Sequence, residues 1–97
     1  MNTQSITELV GLSSVNIKFK VHSKPLELDE GKFWGTCLNT GSGYVIEYCE
    51  TSDLRQSLTT VLHELYHVVQ FENSRDLSCR DADLWAEDMV DYILGEL

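Results

Sequence analysis

DLRQSLTTVLHELYHVVQFEN, residues 53–73, carries the longest helical period in the chain. Leu54, Leu58, Val61, Leu62, Leu65, Val68 and Val69 recur at the three- and four-residue spacing that lays them along one stripe of an α-helix. Asp53, with Gln56 three residues on, offers an N-cap, so a helix is expected from there to about Asn73. His63 and His67 fall roughly opposite the middle of the stripe, on the side shared by Gln56 and Gln70. They are therefore expected to look outward from the packed face.

His63-Glu64-Leu65-Tyr66-His67 is an H-E-x-x-H run. Helical geometry sets residues four apart on one face, so two imidazoles can grip one cation while the carboxylate beside the first faces the same space. That is part of a catalytic zinc site, which usually takes three protein ligands and leaves a place for water. The pentapeptide fixes only three positions, so its surroundings must supply the rest.

Downstream, the polar break Asn73-Ser74-Arg75-Asp76 leads to a second helix, capped by Ser78 and running from about Arg80 to Leu94 before Gly95. Ala82, Trp85, Ala86, Met89 and Ile93 make its apolar stripe, and Asp83, Glu87 and Asp91 recur every four residues along one flank. The carboxylates within reach as a third ligand are Glu72, Asp76, Asp81, Asp83, Glu87, Asp88 and Asp91. Glu72 rotates away from the histidine edge and Asp76 sits in the break, so a ligand on the second helix has the better geometry. Asp81, Asp83 and Asp88 otherwise read as a solvated helix face.

Upstream, Val15, Ile17, Phe19 and Val21 alternate with Asn16, Lys18 and Lys20, the period of a half-buried strand, which Pro25 closes. After an acidic loop through Asp29-Glu30-Gly31, the apolar runs Phe33 to Leu38 and Tyr44 to Tyr48 flank Asn39-Thr40-Gly41-Ser42-Gly43 and read as a hairpin. Ser5-Ile6-Thr7-Glu8 has capping-box form and opens a short helix to about Leu12. The expected fold is α+β: one domain over residues 1–97, with a short N-terminal helix, a three-stranded antiparallel meander, the H-E-x-x-H helix and a C-terminal helix carrying the third ligand.

Ninety-seven residues suffice for a single modest core. A formal charge of -9, with seven scattered Lys and Arg, argues against nucleic acid and suits a cationic or neutral polypeptide partner. No signal-like start and no run approaching a membrane span is visible, so a soluble cytoplasmic protein with no membrane partner is expected. Cys37, Cys49 and Cys79 are odd in number and lack C-x-x-C spacing, so they read as reduced, mostly packed thiols rather than disulfides or zinc ligands.

Residues 51 to 94 resemble the gluzincin clan of zinc metallopeptidases, which carries H-E-x-x-H on one helix and a Glu on the next. In the thermolysin-like branch that Glu follows the second His after nineteen residues, with an Asp four positions further on. Here nineteen residues separate His67 from Glu87, and Asp91 follows after three more. The small size and the strands before the active helix are more similar to short intracellular zincins, the ImmA/IrrE group of phages and mobile elements. Tyr66, where that group often has Gly, and Ala86-Glu87, where it has Glu-Ala, depart from its pattern.

The resemblance implies Zn2+ held by His63, His67 and Glu87, with Glu64 as general base and Asp91 orienting a histidine. An alternative register makes Asp83 the third ligand. The implied activity is hydrolysis of peptide bonds in an intracellular protein substrate. The competing reading, motivated by the short chain, is a catalytically inactive zincin-fold module, phage-type, that sequesters a protein partner. Tyr44, Tyr48, Tyr66, Tyr92 and His22 all remain open as oxyanion donors. Otherwise His22 reads as exposed, Trp34 and Trp85 as core, and Tyr66 as equally suited to packing on a strand.

Overall fold

A computed structural model describes residues 1–28 and 31–96. Its elements are α1 (Thr3–Leu9), β1 (Ile17–His22), β2 (Leu26–Leu28), β3 (Gly31–Phe33), β4 (Gly35–Asn39), β5 (Tyr44–Cys49), α2 (Leu54–Glu72) and α3 (Cys79–Glu96). The fold is α+β.

Local chemistry sets the helix starts. Asp53 accepts a hydrogen bond from the Gln56 N–H at 3.2 Å and caps α2 as its spacing predicts. Ser78 Oγ accepts from the Asp81 N–H at 3.2 Å at the head of α3. The cap of α1 differs from expectation: Asn2, not Ser5, accepts the orphan N–H, that of Ser5, at 3.0 Å.

The three strands do not form the expected meander. The sheet has the order β1-β5-β4, with β5 in the centre, antiparallel to β4 but parallel to β1. Ile17 lies beside Tyr44 and His22 beside Cys49 in the parallel pair. The chain between β1 and β4 turns back through a separate small hairpin, in which β2 pairs with β3. Gly31 of the anticipated acidic loop belongs to that hairpin, and Asp29 and Glu30 lie outside the described residues. Alternation fixes which side chains face the core, and it does so equally for parallel and antiparallel neighbours. Strand direction therefore waited on the path of the connection.

One face of β5 presents Tyr44, Ile46 and Tyr48 to the α2 stripe of Leu58, Val61, Leu62, Leu65 and Val68, and all are buried. Ala86 and Val90 of α3 close the core from the far side, with Ile6 and Leu12 completing it. Burial of each large aliphatic side chain contributes roughly 1.5–3 kcal/mol, so this layer holds α2 firmly against the sheet. No helix among the described residues is long and apolar enough to cross a membrane.

Candidate metal centre and adjoining cavity

α2 is sandwiched. Its apolar stripe faces the sheet, while His63 and His67 lie beneath α3, and His67 is buried at 9% exposure rather than outward-facing. The residue that orders this side is Gln70, fully enclosed at 2% exposure. Its amide nitrogen donates to the Ser78 carbonyl at 3.3 Å, its side-chain oxygen accepts from the Ser78 N–H at 3.4 Å, and its own carbonyl accepts from the Arg75 N–H at 2.9 Å. These bonds tie the connection between the helices back onto α2, and the next residue, Cys79, arrives over His67.

The same Gln70 oxygen accepts from His67 Nδ1 at 2.8 Å, and Asp83 Oδ1 accepts from His63 Nδ1 at 2.7 Å. Neither oxygen has a proton to give, so each imidazole donates from Nδ1 and, in its neutral form, presents a bare Nε2 lone pair. Those two Nε2 atoms face each other at 3.1 Å. Two lone pairs so placed repel unless a cation lies between them. Tetrahedral bonds of about 2.0–2.1 Å to one ion put two nitrogens about 3.3 Å apart, close to what is found. Cys79 Sγ lies 3.8 Å from His67 Nε2, against about 3.6 Å for a sulfur and a nitrogen sharing one zinc. Ligand atoms of His63, His67 and Cys79 all fall within 4.8 Å of one another, and this cluster has the chemistry to hold a metal ion.

The two histidines expected on one helix edge do converge, though His67 is buried rather than outward-facing, and sequence reasoning missed the thiol. Cys79 is exposed and stands beside the two histidines, not packed away; Cys37 and Cys49 are the packed ones. Burial, reinforced by the Glu64 charge, pushes the Cys37 thiol up to about 12 and keeps it protonated. Glu87 and Asp83 do not join the converging set among the described residues. Asp83 instead orients His63, the task expected of Asp91, whose carboxylate pairs with Arg55. The orienting role of Gln70 carried one legible signal, its place on the histidine edge of the helical wheel.

Glu64 lies beside Gly35 of β4 and shares a cavity with His63. It is 6% exposed and lines a cavity of about 660 Å3 with Trp34 and Gly35, the α2 residues Asp53, Arg55, Gln56, Thr59, Thr60 and His63, and Asp83, Glu87 and Asp91 of α3. Only a glycine fits at position 35, because a Cβ there would stand 2.7 Å from Thr60 Cγ2 and 3.2 Å from Glu64 Oε2. Burial, with a smaller push from the Asp83 charge, raises the Glu64 carboxyl from 4.5 to about 7.

The remaining aromatic and histidine candidates stand elsewhere. Tyr44 donates to Glu72 at 2.7 Å, Tyr66 stacks on Trp85 with ring centres 5.2 Å apart, and His22 bonds Glu47 at 3.0 Å. Tyr48 is in the core and Tyr92 is exposed. None of these five lines the cavity beside Glu64. Trp34 does line it, at 45% exposure, and is not the core residue its type suggested.

Compared with protein-family models, curated proteins and solved structures, the chain matches none.

Proposed function

We propose that this chain is a zinc-dependent endopeptidase of intracellular proteins, with Glu64 as general base. The observation that carries the reading is the pair of imidazoles whose Nε2 atoms converge at 3.1 Å, one residue from a carboxylate that lines the adjoining cavity. Zinc suits two imidazoles and a thiolate better than the hard divalent ions do. His63, His67 and Cys79 would hold it, with Asp83 and Gln70 fixing both rings through Nδ1. Bound there, zinc supplies Lewis acidity that activates water and polarises a carbonyl.

The remaining steps belong to the chain itself. Glu64 accepts a proton from the attacking water as the water oxygen bonds to the carbonyl carbon. It then delivers that proton to the departing amine nitrogen as the C–N bond breaks. Burial beside β4 raises the Glu64 carboxyl in the metal-free chain, which makes it the stronger proton acceptor. β4 ends the sheet order, so its outer edge is placed to pair with an extended substrate running past Trp34 and Gly35.

Glu64→Gln tests the mechanism: the variant is expected to keep one zinc by elemental analysis and to lose cleavage of a denatured-proteome digest. Cleavage equal to the parent removes Glu64 from the chemistry. A sequestering module, by contrast, predicts partner capture that is indifferent both to this variant and to chelators.

A further inference from the structure

The cavity beside Glu64 has an unusual charge for its size. Five of its twelve lining residues, Asp53, Glu64, Asp83, Glu87 and Asp91, are acidic, against 16 of 97 in the chain. Its one basic residue, Arg55, is already paired with Asp91. Asp53 is engaged by the Gln56 N–H and Asp83 by His63. Glu87 makes no hydrogen bond or ion pair among the described residues, and it faces the same cavity as the half-exposed Trp34 indole.

Glu64 is a second, independent pointer to a ligand. It is more than nine-tenths buried, makes no side-chain hydrogen bond among the described residues, and belongs to the cavity wall. No sealed-off polar side-chain atom in the described residues lacks a partner, so this carboxylate opens into the cavity rather than being shut inside the core. A pocket with surplus negative charge and an aromatic wall is matched by a cation on an apolar stem. Small cations lack the stem, an acidic side chain is repelled by the exposed Glu87 and its acidic neighbours, and a purely apolar one gains nothing from them.

We infer that this cavity selects a lysine or arginine side chain of a polypeptide, held by Glu87 and flanked by Trp34, next to the bond presented to Glu64. The inference rests on the peptidase reading for what happens to the bond, but not for the binding. Two measurements separate the two.

The first is cleavage of a random peptide pool by zinc-loaded protein, with the cut sites read by mass spectrometry. Lys or Arg within two residues of the cut should be favoured about tenfold over Leu, the equivalent of one moderately screened charge pair, and Glu should be excluded. Glu87→Gln should reduce that preference to about two- or threefold at unchanged zinc content. Cuts flanked by apolar or acidic residues overturn the inference. So does loss of zinc in Glu87→Gln, which makes Glu87 a metal ligand.

The second is fluorescence anisotropy on zinc-loaded Glu64→Gln, comparing a labelled nonapeptide containing three Arg with one containing three Glu. Preferential, salt-sensitive binding of the Arg peptide, weakened several-fold by Glu87→Gln or Trp34→Ala, supports the assignment even if no peptide is cleaved. Equal binding of both peptides overturns it, as does Arg-peptide binding untouched by either substitution.

Discussion

Replacing Glu64 by Gln in the metal-free protein should stabilise it, and increasingly so as the pH rises. The native carboxyl is raised from 4.5 to about 7, chiefly by burial, so the folded state binds a proton that the unfolded state has already released across that interval. For a raised carboxyl the sign is fixed: its favourable contribution is complete below the unfolded value and is lost as pH climbs through the folded one. With about 1.4 kcal/mol per unit, wild type loses about 2 kcal/mol between pH 5.5 and pH 8 that the amide variant retains. The lower pH stays clear of the isoelectric point near 4.5, where a chain this acidic loses its solubility.

Urea titrations of chelator-treated wild type and variant at both pH values give the quantity directly, as the change with pH in their stability difference. Any fixed cost of seating an amide in place of the carboxylate cancels in that comparison. For a domain of this size the difference corresponds to a shift in melting temperature of roughly 8–16 °C. Stability differences that are equal at pH 5.5 and pH 8 would refute the argument, because a Glu64 titrating in its ordinary range has no burial to relieve.

His67→Ala should abolish the stoichiometric zinc of the purified protein and the rise in melting temperature on adding zinc; elemental analysis and a thermal scan check both, and retained zinc would count against the cluster. With Co2+ as a probe, wild type should show the near-ultraviolet absorption of thiolate-to-metal charge transfer, and Cys79→Ser should lose it while binding metal at least tenfold more weakly. A Co2+ spectrum identical in Cys79→Ser would take the sulfur out of the ligand set. Gly35→Ala should cost about 1–3 kcal/mol in a denaturant melt, because the new methyl meets the stiff Thr60 side chain at 2.7 Å and the Glu47 carbonyl at 3.3 Å. A neutral result there would mean that β4 stands further from α2.

Local signals carried α2, α3 and their caps into the structure nearly unchanged, because periodicity and side-chain capping act within one or two turns. The α+β class and the β4–β5 hairpin were legible for the same reason. The parallel pairing of β1 with β5 was not. It depends on how the segment between them folds back, and the hairpin that reverses it combines a short three-residue strand on either side with little alternation to read.

At the candidate metal cluster, the sequence by itself determined that two imidazoles share one helix face with a carboxylate beside the first in sequence, since four residues of helix bring the rings there whatever the rest of the fold does. Which further side chain comes within ligand distance of them was decided by tertiary structure alone. Spacing measured along the chain favoured Glu87, but α3 packs with Cys79 over His67 and Glu87 in the cavity wall, because Gln70 ties the interhelical connection down at Ser78. The raised carboxyl of Glu64 was equally beyond the reach of sequence: a glutamate on a helix is ordinary, and its burial beside Gly35 of β4 is a tertiary contact.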